Sequence, residues 1–184
     1  MFFTLKEFFD MVVMSLAIGF IFSDFFSTYK HRLPYYSQGR FDWNSFWFSV
    51  LLVAPTIILH EFGHKFTAMA FGLHAVFHAA YFWLLIAVLL KLIHSPFLFF
   101  VPAYVSIYGP ASPGASALIA FAGPAVNLLL FLISKLVIPK ASKRNLPYWM
   151  LFSKINFFFF IFNMLPIPGF DGFTVYFNLF KIIF

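Results

Sequence analysis

The sequence contains no cysteine. Disulfides are therefore excluded, as are thiolate metal ligands, which leaves histidine, aspartate and glutamate as the side chains able to hold a transition metal. Charge is the second scarcity. Charged residues make up 10% of the 184 positions and six of them are acidic, against about 25% charged in ordinary soluble domains. Hydrophobic residues reach 62%, above the roughly 45–50% of such domains. A chain so poor in polar groups cannot cover a water-facing surface, so most of it is expected in a bilayer, as one domain. The net charge of +6 would suggest nucleic acid in a soluble protein. Here the cations fall between apolar segments, at Lys30, Arg32 and Arg40 and again at Lys140, Lys143 and Arg144. Lipid headgroups and water account for them there, and no nucleic-acid partner is expected.

The apolar runs set the architecture. Phe8 to Thr28 is long enough to span a bilayer. Glu7 and Asp10 at its start, and the lack of a following A-x-A site, make it a membrane helix rather than a cleavable signal. Residues 29–40 read as a water-exposed loop. The second segment runs from Trp43 to Phe71, with Asp42 as N-cap, Gly72 as C-terminal cap and Pro55 as a candidate kink. The third, about Ala79 to Ile93, is barely long enough to span. Residues 97–108 are too short for a helical span, and Pro102 with its Val, Tyr and Ile neighbours favours an extended or re-entrant piece. Ala115 to Ile138 spans, with small residues in its first half that allow close helix packing. Tyr148 to Leu165 is the fifth segment, and Phe173 to Phe184 is a short terminal helix. The expected fold is an all-α polytopic membrane protein. It is a bundle of four to five transmembrane helices with a short extended or re-entrant segment and a helix broken around Pro166, Pro168 and Gly169.

Within the second segment stands His60-Glu61-Phe62-Gly63-His64. Two histidines four apart share one face of a helix. H-E-x-x-H on a helix is a zinc-binding pattern in which the imidazoles hold the metal and the glutamate serves as general base. On a soluble surface helix the pattern could be idle, with Glu61 paired to Lys65. Ionisable groups are expensive in a membrane helix, and functional use is the default there. Zinc requires a third protein ligand and an open position. Beyond Glu61 the chain has one carboxylate, Asp171; His74, His78 and His94 are the other candidates. His74 and His78, again four apart, formally allow a second metal pair. Asp171 follows the break at Pro166 to Gly169, and broken backbone at membrane depth normally lines a cavity or site. Asp171 could also cap the terminal helix.

His60-Glu61-x-x-His64, followed by Asn163-x-x-Pro166-x-Pro168-x-x-Asp171-Gly172, resembles the paired motifs of the site-2 protease family of zinc-dependent intramembrane proteases. Gly123-Pro124-Ala125-Val126-Asn127 is similar to the Gly-Pro-x-x-Asn of that family's middle core helix. The resemblance covers about residues 43–172. Residues 1–42 then form an extra N-terminal span and loop, and 173–184 a short C-terminal helix, within a single transmembrane protease domain. Compactness and the Gly-Pro-rich stretch ending near residue 112 are similar to archaeal members. Residues 73–112 would replace the strand-rich segment that follows the first core helix in the family.

The resemblance implies one zinc per chain on His60, His64 and Asp171, water activation by Glu61, and a substrate or oxyanion contact from Asn163. Pro166, Pro168, Gly172 and Asn127 would support the site, Asn127 by bonding across the core helices. The implied substrate is a transmembrane protein helix, and the implied setting is the cell membrane, with the metal toward the cytosol. That orientation puts Lys30, Arg32 and Arg40 outside, against the positive-inside preference. The family often has glycine where this chain has Phe173. Alternatives from other classes are a catalytically silent helix-binding pseudo-protease and a metal transporter. A protease of prenylated proteins is disfavoured by the lack of a downstream glutamate ligand.

Overall fold

The computed structural model describes residues 3–30, 41–95 and 101–184. The elements run α1 (Leu5–Lys30), α2 (Trp43–Ala70), β1 (His74–Ala79), α3 (Tyr81–Leu92), β2 (Ala103–Tyr108), α4 (Pro113–Val137), a 3-10 turn (Ile138–Lys140), α5 (Leu146–Asn163) and α6 (Asp171–Ile183). The protein is helical, with a single two-stranded sheet among the described residues. The water-exposed loop expected before Phe41 lies largely outside the described residues, as do residues 97–100 of the expected extended piece.

Among the described residues, three helical stretches are long and apolar enough to cross a membrane, fewer than the four to five expected: Leu5–Phe25, Trp43–Ala70 and Pro113–Lys140. α5 has the length of a span, but Lys154 and Asn156 interrupt its apolar run. α3 is twelve residues, or about 18 Å, too short to cross alone.

The chain forms two compact units, residues 1–55 with 78–104, and residues 56–77 with 105–184. In the first unit α1 buries Met14, Ile18 and Ile21, an i, i+4, i+7 stripe. α1 lies along α3, joined at two places. Tyr81 donates a hydrogen bond to Asp10. Lys91 donates to the Phe20 carbonyl and the Ser23 hydroxyl, and its Nζ stands 3.3 Å from Asp24. Residue numbers rise together along the two helices, so they run parallel. The expected cap of α2 is present: Asp42 Oδ1 accepts from Asn44 N at 3.0 Å and Ser45 N at 3.2 Å.

The sheet joins β1 to β2. His74 faces Tyr108, His78 faces Tyr104, and Ala80 N–H donates to Pro102 O, so the strands are antiparallel with α3 inserted between them. The second unit packs Ala75 of β1 against Ala68 of α2 and Ile119 of α4, with Leu73 and Val105 alongside. α4 is packed by both α5 and α6. Its N-terminus is capped by Ser112, which accepts from Ala115 N at 3.2 Å.

Candidate metal centre

The second unit carries the site. The C-terminal half of α2 presents His60 and His64 on one face, and both are buried. Asp171 is the first residue of α6. It meets α2 because the chain stops being helical at Met164, turns through Pro166, Pro168 and Gly169, and restarts at Asp171. Gly172 makes that turn possible at close quarters. A Cβ there would fall into the backbone of Met164 and stand 2.8 Å from the Leu165 carbonyl oxygen.

Three donors converge. His60 Nε2 lies 3.1 Å from His64 Nε2 and 3.1 Å from Asp171 Oδ2, and His64 Nε2 lies 3.4 Å from Asp171 Oδ1. Ligands placed tetrahedrally at about 2.0–2.1 Å from zinc stand about 3.3 Å from one another. The spacing therefore fits a small tetrahedral ion, and these three side chains form the group able to hold a metal among the described residues.

The other ring nitrogens decide what the Nε2 atoms offer. His64 Nδ1 lies 2.8 Å from the Ile119 carbonyl oxygen, which can only accept, so Nδ1 carries the proton. His60 Nδ1 likewise donates to Asn127 Oδ1 at 2.6 Å. Both Nε2 atoms are thus free to present lone pairs, beside a carboxylate. Three acceptors at this range repel one another and are stabilised by a cation, which is how histidine ligands are normally oriented for metals.

Gly123 of α4 closes the fourth side. A Cβ there would collide with Nε2 of both His60 and His64, so only the absence of a side chain leaves that volume open. Glu61 is buried beside the group and has His60, His64 and Asp171 as its electrostatic neighbours.

The alternative third ligands fall elsewhere. His74 and His78 lie on a strand rather than a helix, so four positions separate them by about 13 Å and they cannot share an ion. Each packs its ring against a tyrosine of β2. His94 is exposed beyond α3. Asp171 does not cap α6 as a side-chain acceptor: the N-cap position is Phe170, and the carboxylate points to the two imidazoles. Asn163 is the partly buried last residue of α5.

Asn127 does more than bond across helices, since it is the partner of His60 itself. Behind it stand Asn156 and Thr56, which belong to none of the sequence motifs. Asn156 was visible as a lone amide ahead of the Phe157–Phe160 run, where an unpaired polar group would be costly.

Two known proteins are similar to this chain. The chain is 33% identical to a candidate zinc metalloprotease of Methanocaldococcus jannaschii over 173 residues, covering 92% of this chain and 83% of that protein. It is 30% identical to a candidate zinc metalloprotease, Rip2, of Mycolicibacterium smegmatis over 136 residues, 64% of this chain and 51% of that protein. No family model matches the chain, and no solved structure does. Identity along almost the whole chain, with a three-donor centre suited to zinc, places it: the chain belongs to the site-2 protease family of zinc metalloproteases.

Proposed function

We propose that the protein is a zinc-dependent intramembrane endopeptidase that hydrolyses a peptide bond in a transmembrane substrate helix. The observation that carries this reading is the convergence of His60, His64 and Asp171 beside Glu61, on a helix apolar enough to lie in the bilayer. His60, His64 and Asp171 are the ligands of one zinc ion. Zinc held there supplies Lewis-acid polarisation of the scissile carbonyl and makes water acidic enough for a carboxylate to deprotonate. Glu61 takes that proton as water attacks, then returns it to the leaving amine. Asn163 offers amide donors at the break after α5, suited to the substrate backbone or the developing oxyanion. Pro166, Pro168 and Gly172 hold the break that brings Asp171 to the imidazoles. A helical substrate keeps its carbonyls in internal hydrogen bonds, so it unwinds locally before cleavage.

The test uses the detergent-purified protein and a panel of synthetic single-span helices containing helix-breaking residues. The wild type is expected to carry about one zinc per chain and to cut within the apolar span, with products identified by mass spectrometry. Glu61→Gln is expected to keep its zinc and lose cleavage. Asp171→Ala and His60→Ala are expected to lose both. Wild-type cleavage by Glu61→Gln would remove the general base. Cuts confined to the flanking polar residues would leave a metalloprotease without the intramembrane specificity.

A further inference from the structure

A chain of buried amides and a hydroxyl runs away from the metal centre, and the proposed reaction does not use it directly. Asn127, Asn156 and Thr56 are all fully buried. Asn127 Oδ1 accepts from His60 Nδ1 at 2.6 Å. Asn127 Nδ2 donates to Asn156 Oδ1 at 3.1 Å and to the Thr56 carbonyl oxygen at 3.3 Å. Asn156 Nδ2 in turn donates to Thr56 Oγ1 at 3.2 Å and to the Phe152 carbonyl oxygen at 2.9 Å.

The direction of every bond is fixed. Backbone carbonyls only accept, so Phe152 O sets the amide of Asn156 with its nitrogen toward Phe152 and Thr56. Its oxygen then faces Asn127. The nitrogen of Asn127 has two acceptors, Asn156 Oδ1 and Thr56 O, which leaves its oxygen toward His60. Reversed, the Asn127 amide would present N–H to His60 Nδ1. The imidazole would then carry its proton on Nε2, the atom that faces Asp171 and His64.

We infer that Asn156 and Thr56 are positioning residues for His60. By holding the Asn127 amide in one orientation, they keep His60 Nε2 as a metal-facing lone pair. The inference rests on His60 being a zinc ligand. Asn156 and Thr56 lie on α5 and α2, so the relay also ties metal affinity to the packing of α5 on the core.

The experiment is zinc competition with a chromophoric chelator on the detergent-purified chain, with the visible absorption of the cobalt-substituted protein as a second readout. Outer partners of metal-bound histidines typically change affinity by about 10–100-fold when removed. Asn156→Leu, close in volume, is expected to weaken zinc by about that factor and to shift the cobalt bands. Thr56→Val keeps the shape and removes only the hydroxyl. It is expected to weaken zinc in the same direction by a smaller factor, up to about tenfold.

The decisive background is Asn127→Asp, where either carboxylate oxygen accepts from His60 and no orientation is needed. Adding Asn156→Leu there is expected to cause no further loss. A monodisperse Asn156→Leu chain within about twofold of wild-type affinity would overturn the inference. So would an equal loss in the Asn127→Asp background, which would mean that Asn156 acts by packing alone. If Asn156→Leu does not purify as a single species, an unchanged affinity and cobalt spectrum in Thr56→Val overturns it. A wild-type chain that takes up no zinc instead refutes the assignment of His60 as a ligand, a separate failure.

Discussion

Gly123 shows how much of the centre depends on a side chain that is not there. Its α-carbon sits where any added carbon would strike the two metal-facing nitrogens. Gly123→Ala is therefore expected to weaken zinc by about a hundredfold or more while leaving α4 helical, because alanine is the better helix former. Zinc content after gel filtration, beside the circular dichroism spectrum, checks both halves. Retention of one zinc per chain at wild-type affinity would contradict the geometry. The pair His60 and His64 could be read from spacing alone. The choice of Asp171 over His74, His78 and His94 could not, since all four are competent zinc ligands and only the fold decides which stands near the pair. The family resemblance implies Asp171, whose carboxylate oxygens lie 3.1 Å from His60 and 3.4 Å from His64.

Helices were legible to within about three residues at their ends. Apolar run length and flanking signals such as Asp42 mark them directly. β1 was not legible from its residues. His74–Ala79 has no long run of β-branched residues, and it becomes a strand because β2 pairs with it across the inserted α3. The break before α6 makes a demand on Gly172 that spacing does not reveal. Gly172→Ala is expected to cost about 1–3 kcal/mol, because the new carbon meets backbone that cannot rotate away. Thermal unfolding in detergent checks this, and the zinc content should fall with it. In the first unit, Asp10 is buried, with Tyr81 as hydrogen-bond donor to one oxygen and His78 3.8 Å from the other. Tyr81→Phe leaves that carboxylate short of a donor. It is expected to lower stability by about 1–3 kcal/mol without changing zinc affinity, since the centre belongs to the other unit.

For the molecule as a whole, bound metal should appear as stability. A ligand at a thousand times its dissociation constant stabilises the folded state by about 4 kcal/mol. Added zinc is expected to raise the unfolding temperature of the wild type and to leave Asp171→Ala unmoved; an equal rise in both would point to adventitious binding. Sidedness is also testable, because the chain has no cysteine and single thiols can be introduced freely. The orientation that the resemblance implies would leave position 37 outside, whereas the basic residues Lys30, Arg32 and Arg40 favour the inside. Ser37→Cys in intact cells is expected to react with an impermeant maleimide. Labelling only after lysis would reverse that orientation.

The sequence by itself determined the apolar character and approximate limits of the long helices and the residue types at the centre, but not the number of spans: four to five were expected, and three stretches among the described residues are long and apolar enough. The features it determined follow from local quantities: apolar run length, helical spacing and the cost of ionisable groups in a bilayer. The tertiary structure decided that Asp171, rather than His74, His78 or His94, stands beside the two histidines from more than a hundred residues away. It also decided that a glycine stands against the two imidazoles, and that Asn127 hydrogen-bonds to His60, Asn156 and the Thr56 carbonyl. Those outcomes depend on distances of about 3 Å between segments remote in the chain, where a residue's identity states what it can bond to but not what it will meet.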